Sequence, residues 1–104
     1  MRKFITVAQA SEIKPGVPLH VEVEDEPIAL FKIEGNFYAI ADVCTHDGGV
    51  LTGGTVEGVV ITCPRHGAKF DITTGAVLSM PAFTPVKTYE TRVDNGRLQI
   101  LFDE

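Results

Sequence analysis

The amino-acid sequence predicts an all-β domain, and three observations support this fold class. Val, Ile and Thr together number 30, against 14 for Ala plus Leu, so the composition favours strands over helices. Apolar and polar residues alternate in several short runs. Gly and Pro lie between these runs, as is typical of small all-β proteins. With 104 residues, 44% of them hydrophobic, we expect a single domain over residues 1–104.

The N-terminal part of the chain predicts one helical turn and three strands. Residues 8–13 precede a proline and predict the helical turn. Alternation over residues 17–23 predicts a half-buried strand. The apolar runs 28–33 and 37–41 are separated by turn-forming residues 34–36, so we expect the two runs to form a hairpin.

The C-terminal part predicts a second hairpin. Asn95-Gly96 is the residue pair most typical of a two-residue hairpin turn. Alternating apolar positions on both sides of this pair predict strands over residues 89–93 and 98–102. We expect this hairpin to close the sheet of the domain.

The middle of the chain, residues 42–85, differs from both ends. It contains both cysteines, two of the three histidines and three of the six prolines. We expect loops carried by short strands. These strands are predicted at 56, 59–62, 69–71 and 76–78. The sequence thus predicts an antiparallel β-sandwich base from residues 1–41 and 86–104, with a smaller loop subdomain over residues 42–85.

The charge balance bears on partners and location. Nine basic and 14 acidic residues give a net charge of -5, and no stretch clusters Lys and Arg. This argues against nucleic acid and anionic membranes as partners and favours a basic protein surface. The densest acidic run is Glu22, Glu24, Asp25 and Glu26, expected to be a solvated strand end and turn, with a docking patch as the alternative. No apolar run approaches the roughly 20 residues of a membrane helix, so a cytoplasmic protein is expected.

The two cysteines are each followed closely by a histidine, in Cys44-Thr45-His46 and in Cys63-Pro64-Arg65-His66. Each loop therefore offers one thiolate and one imidazole. Zinc fingers usually draw two cysteines from one end and two histidines from the other. A binuclear iron-sulfur centre with unlike irons requires each loop to reach both metals, which matches the pairing seen here.

Three other uses of these residues are open. A disulfide between Cys44 and Cys63 is disfavoured, because nothing marks the chain as secreted. Structural zinc bound by the same four side chains is the main chemical alternative, which would make the chain a zinc-stabilised interaction module. A nucleophilic pair of Cys63 and His66 would also need an orienting group and an oxyanion site, and the sequence identifies neither.

The pattern Cys44-x-His46 with Cys63-x-x-His66-Gly67 resembles the Rieske 2Fe-2S signature, and the similarity extends across nearly the whole chain. Further matches lie at Phe70-Asp71, Thr74-Gly75 and Pro81-Ala82, the last resembling the proline loop that covers the cluster. The resemblance implies a Rieske-type fold and one 2Fe-2S cluster per chain. It implies that Cys44 and Cys63 bind the inner iron, while His46 and His66 bind the outer iron near the surface.

The resemblance is to the low-potential ferredoxin branch. High-potential respiratory members have a Ser after the second His-Gly, a Tyr two residues later and an extra disulfide, whereas this chain has Ala68, Phe70 and no third cysteine. Because those hydroxyl donors are absent, we expect a potential near the lower end of the roughly -150 to +300 mV Rieske range. The tips of the three loops are expected to be exposed and are small or apolar, which favours close approach of a partner: Gly48, Gly49, Val50, Pro64 and Pro81. Asp47 and Arg65 are the charged exceptions.

The resemblance implies an electron carrier and not an enzyme. Only His20 is left after cluster ligation, whereas a mononuclear oxygenase iron needs two histidines and a carboxylate. His20 itself is expected to be solvated and without function. The implied role is the ferredoxin of a ring-hydroxylating dioxygenase system, taking electrons from a flavoprotein reductase and passing them to a terminal non-haem iron oxygenase. A Rieske-like small subunit of a larger reductase, such as assimilatory nitrite reductase, is the alternative.

Overall fold

Eleven β-strands and one 3-10 turn are present in the computed structural model, which describes residues 1–45, 48–65, 67–80, 82 and 84–103. The strands are β1 (Arg2–Gln9), β2 (Leu19–Val23), β3 (Glu26–Ile33), β4 (Asn36–Ala41), β5 (Thr55–Glu57), β6 (Val60–Thr62), β7 (Lys69–Asp71), β8 (Val77–Ser79), β9 (Thr88–Tyr89), β10 (Thr91–Asp94) and β11 (Arg97–Asp103). These residues contain no α-helix, and the predicted all-β class is confirmed. No helix among them is long and apolar enough to cross a membrane.

In the described part of the chain the strands form three antiparallel sheets, with strand orders β1-β11-β10, β2-β3-β4-β9 and β5-β6-β7-β8. The first two sheets form the base, and the third lies within residues 42–85. The predicted short strands of the middle segment are all present, with the last one at Val77–Ser79, one residue later than expected. The boundaries of the loop subdomain at 42 and 85 stay a prediction.

Strand β3 is buried on both faces and contributes to two apolar cores. Its side chains alternate between the faces because successive residues of a strand point in opposite directions. Ile28 and Leu30 pack in one core together with Ile100 of β11, which joins the two base sheets. Ala29 and Phe31 pack in the second core, beneath the loops that carry the cysteines. The base and the loops are therefore packed against the same strand.

The two predicted hairpins are present, and their turns have the expected backbone. Strands β3 and β4 are joined by Glu34 and Gly35, and strands β10 and β11 by Asn95 and Gly96. All four turn residues have positive φ, between 50° and 81°. This is the geometry that matches the right-handed twist of paired strands.

The C-terminal hairpin differs from the prediction at its first strand. Tyr89 does not belong to it, because β9 pairs with β4 in the second base sheet while β10 pairs with β11 in the first. The change of sheet at Glu90 places the Tyr89 ring in the base core, stacked on Phe102 at 6.3 Å between centroids. The Tyr89 hydroxyl donates to Glu26 Oε1 at 3.2 Å. Burial, together with the Glu26 carboxylate, raises the pKa of Tyr89 to about 12.

The N-terminal strand β1 was not among the predicted strands. It pairs with β11 along its length, but the register shifts between Thr6 and Ala8. Such a bulge inserts one residue into the strand and interrupts the two-residue alternation that marks a strand in the sequence. The predicted helical turn within 8–13 is present as a 3-10 turn at Ala10–Glu12, directly after β1.

Candidate metal centre

Cys44 and Cys63 begin two loops with the same hydrogen-bond pattern, the first after β4 and the second after β6. In each loop the cysteine N–H donates to the carbonyl five residues later, and the cysteine carbonyl accepts from the N–H four residues later. The four distances are Cys44 N to Gly49 O 2.6 Å, Gly48 N to Cys44 O 2.7 Å, Cys63 N to Ala68 O 2.7 Å and Gly67 N to Cys63 O 3.2 Å. The two cysteines therefore occupy equivalent positions in equivalent loops.

A glycine closes each loop where the backbone turns into the left-handed region. Gly48 and Gly67 both have a φ of 79°. This conformation costs a residue with a side chain roughly 1–2 kcal/mol and costs glycine almost nothing. The motif residue Gly67 is thus required by the loop geometry, and Gly48 serves the same purpose in the first loop.

The two cysteine side chains belong to one buried core. Cys44 is 0% exposed and Cys63 is 1% exposed, and both pack in the core that contains Phe31, Leu51 and Phe70. No disulfide joins Cys44 and Cys63, both of which lie in the described part of the chain. The disulfide that the sequence left open is therefore absent, and the loops bring two thiols to the same apolar environment.

The other two predicted ligands, His46 and His66, lie outside the described residues, as do Asp47 and Pro81. Among the residues that the structure describes, no group of three or more His, Cys, Asp and Glu is placed to hold a metal ion. The two predicted ligands that the structure describes, Cys44 and Cys63, nevertheless fit a cluster iron bound through thiolates. Their sulfurs are buried in one core and come from loops with the same hydrogen-bond pattern.

A third segment contacts these loops. The Thr45 hydroxyl donates to the Thr84 carbonyl at 2.5 Å, and Val86 N–H donates to Gly75 O at 2.9 Å. Ala82 is 1% exposed and packs in the same core as the cysteines. The described part of the segment that resembles the cluster-covering proline loop is therefore joined both to the first cysteine loop and to the hairpin behind the second.

Asp42, a carboxylate that is 0% exposed and lies two residues before Cys44, was not among the predicted site residues. Its Oδ1 accepts from Leu51 N–H at 2.7 Å and from Thr52 N–H at 2.9 Å, and its Oδ2 accepts from the Thr52 hydroxyl. The sequence did contain a signal for this residue, because Asp42 directly follows the apolar end of β4 and comes just before a predicted ligand. Asp42 joins the two ends of the first cysteine loop.

His20 is exposed, as the sequence predicts, but it also has a partner that the sequence did not reveal. Its Nδ1 lies 2.5 Å from Asp42 Oδ2, and 35% of its side-chain surface is accessible. The hydrogen bond with Asp42 is the main cause that raises the pKa of His20 above 6.5, and the Glu22 carboxylate adds to it. The strand pattern placed His20 correctly on the polar side of β2, but it could not show that a buried carboxylate from another segment lies there.

Comparison with known proteins identifies the family. The Rieske [2Fe-2S] domain matches residues 3–90 of this chain. The chain belongs to the Rieske family. The ferredoxin component of the naphthalene 1,2-dioxygenase system of Pseudomonas putida is 38% identical over 98 residues, which cover 94% of each chain. A Rieske 2Fe-2S cluster is therefore the cofactor of this protein, and not a structural zinc ion.

Solved Rieske structures agree with the fold. A ferredoxin from Sphingomonas yanoikuyae B1 matches with a TM-score of 0.92 and 32% identity, covering 97% of this chain and 100% of that one. A chain in the complex of reduced oxygenase and oxidized ferredoxin in carbazole 1,9a-dioxygenase matches with a TM-score of 0.88 and 35% identity. The match covers 94% of this chain and 92% of that one. A Mycobacterium tuberculosis protein assigned as an NADH-dependent nitrite reductase small subunit matches with a TM-score of 0.86 and 25% identity. The match covers 100% of this chain and 98% of that one. The chain is thus an electron-transfer protein and not itself a catalyst.

Proposed function

We propose that Cys44, His46, Cys63 and His66 hold the 2Fe-2S cluster, and that this Rieske protein carries single electrons from a flavoprotein reductase to a terminal non-haem iron oxygenase. The observation that carries the proposal is the matched pair of loops that bring Cys44 and Cys63 into one buried core. The cluster, when bound, stores one electron and releases it to a partner. In the sequence, His46 and His66 follow the buried cysteines by two and three residues.

The described residues around the thiols support a low potential. Ala68 and Phe70 are both 0% exposed and pack in the core that contains the cysteines. Neither side chain has a hydroxyl that could stabilise added negative charge. The potential is therefore set without the Ser and Tyr donors of the respiratory members, and we place it near the lower end of the roughly -150 to +300 mV Rieske range.

The surface near the loops supports contact with a protein partner. Gly48 and Pro64 are exposed, and Val50 is 51% exposed at the end of the first cysteine loop. Small and apolar tips lose little hydration free energy when a partner approaches. The net charge of -5 would attract a basic surface over a longer distance. We infer that the oxygenase and the reductase approach this loop end, and that encounter slows as salt rises.

The ligand assignment is tested by changing the metal-bound atom. In His66→Cys protein, a third thiolate would replace an imidazole, so the electron paramagnetic resonance signal of the reduced protein should change and the potential should fall. An unchanged signal in His66→Cys would contradict the assignment.

The carrier role is tested by stopped-flow mixing of the reduced protein with a terminal oxygenase whose own Rieske centre is oxidised. Oxidation of this chain with matching reduction of the oxygenase is expected, and the rate should fall with added salt. A flavoprotein reductase with NADH should in turn reduce the oxidised protein. Failure of electron transfer to every dioxygenase component tried would reject this role.

The nitrite reductase small subunit is the second candidate, favoured by the structural match to the Mycobacterium tuberculosis protein at 25% identity. It ranks below the ferredoxin role because the ferredoxin relatives are more similar to this chain. Stable co-purification with a sirohaem enzyme would favour it. The cytoplasmic location belongs to the proposal too, supported by two cysteines that form no disulfide with each other.

A further inference from the structure

Asp42 is the only charged side chain that is buried among the described residues. A buried carboxylate is costly unless hydrogen bonds replace its lost hydration. Three donors come from Leu51 and Thr52, which follow the first cysteine loop, and the fourth contact is His20. Because Asp42 precedes Cys44 and accepts from residues beyond Gly49, the carboxylate holds the two ends of the loop together.

His20 reaches this carboxylate from a different part of the fold. It lies on β2, an edge strand of the second base sheet, and its neighbour across the sheet on β3 is Ala29. The distance from His20 Nδ1 to Asp42 Oδ2 is 2.5 Å, across 22 residues of sequence. The other charged group in contact with the imidazole is Glu22, whose Oε2 lies 3.5 Å from Nε2 and whose side chain is 63% exposed. His20 therefore supplies the contact that joins the base sheet to the buried carboxylate.

We propose that His20 is a positioning residue for the first ligand loop: by binding Asp42 Oδ2 it keeps the carboxylate aimed at Leu51 and Thr52, and so slows loss of the cluster. This inference rests on the proposed ligand set, because Cys44 lies in the loop that Asp42 closes. His20 does not touch the iron in this scheme. It acts on the loop through Asp42.

The protonation of His20 gives this role a measurable signature. Its pKa is raised above 6.5 by Asp42 first and Glu22 second, so the folded state favours the imidazolium. A group with a raised pKa contributes its full stabilisation below the unfolded pKa and loses it as the pH rises through the folded pKa. The attraction between the His20 imidazolium and the Asp42 carboxylate is thus complete below pH 6.5 and is lost as the pH rises through the folded pKa. The neutral imidazole still donates one hydrogen bond.

The test measures release of iron from the oxidised holoprotein to an excess of an iron chelator, and the loss of the cluster absorbance monitors the release. Wild type, His20→Ala and His20→Gln are compared at about pH 6 and about pH 9. His20→Ala should release iron about tenfold faster than wild type at the lower pH and about threefold faster at the higher pH. His20→Gln retains a donor but not the charge, so it should be several-fold faster than wild type at about pH 6 and match wild type at about pH 9.

Two results would overturn the proposal. One is equal release rates for wild type and His20→Ala at both pH values. The other is a ratio of the His20→Ala release rate to the wild-type release rate that does not change with pH, together with a His20→Gln rate that stays as fast as the His20→Ala rate. This result would indicate that His20 only fills space. Electron paramagnetic resonance of the reduced His66→Cys protein separates this outcome from failure of the ligand set. A changed signal there supports the ligand set, so equal release rates would count against His20 alone, whereas an unchanged signal means that the ligand assignment itself is wrong.

Discussion

Gly75 is a residue at which a single methyl group should strongly disturb the packing behind the ligand loops. It has a φ of 81°, and a Cβ atom there would lie 2.2 Å from the Val86 carbonyl oxygen and 3.1 Å from Thr88 Cγ2. Val86 also donates its N–H to Gly75 O at 2.9 Å. Gly75→Ala therefore combines a strained φ, which costs roughly 1–2 kcal/mol, with a backbone clash and a lost hydrogen bond worth about 1 kcal/mol.

The chain offers a matched control at the other hairpin. Gly35 has the same φ of 81°, but a Cβ atom added there would have no neighbour within 4 Å, so Gly35→Ala isolates the backbone strain. For a domain of this size, 1 kcal/mol lowers the melting temperature by about 4–8 °C. We expect about 5–10 °C for Gly35→Ala and at least twice that for Gly75→Ala, measured by thermal denaturation of the holoprotein. Equal shifts for the two variants would show that the approach of Val86 to Gly75 does not matter and would refute the reasoning.

Three further predictions concern the buried carboxylate, an acidic turn and the potential. Asp42→Asn should lower the free energy of unfolding by about 2 kcal/mol, because charged hydrogen bonds are replaced by neutral ones; urea denaturation measures this, and an unchanged midpoint would contradict it. Glu24 and Asp25 form the β2–β3 turn with φ of 50° and 69°, so Glu24→Asn with Asp25→Gly should stabilise the protein by about 1 kcal/mol in the same assay. Ala68→Ser with Phe70→Tyr should raise the potential by roughly 50–100 mV in a redox titration, because two hydroxyl donors would stabilise the reduced state; a lower potential would count against that explanation.

The hairpin turns illustrate what local chemistry predicts well. Asn95-Gly96 and the residues around Gly35 accept positive φ, and no distant residue is needed to make them turn. The turn at Glu24 and Asp25 lies in the acidic run that was predicted to form a strand end and turn, and it has similar φ values without a glycine. The packing of β2 against β3 imposes that turn on residues that do not favour it.

The C-terminal strands show where periodicity alone is insufficient. Tyr89 and Val93 share one alternation in the sequence, yet Tyr89 is 8% exposed in one sheet and Val93 is 47% exposed in another. Alternation reports which side of a strand a residue occupies, but not which sheet the strand joins. The difference is decided by the pairing of β9 with β4, which places the Tyr89 ring against Phe102.

The all-β class, the two hairpins and the pairing of a cysteine with a histidine in each loop could be predicted from the sequence, because each depends on residues that are close together along the chain. The shared burial of Cys44 and Cys63 and the contact between Asp42 and His20 depend on how distant segments fold together. Those contacts join segments about 20 residues apart. They depend on the packing of the loops against β3, which no local pattern records.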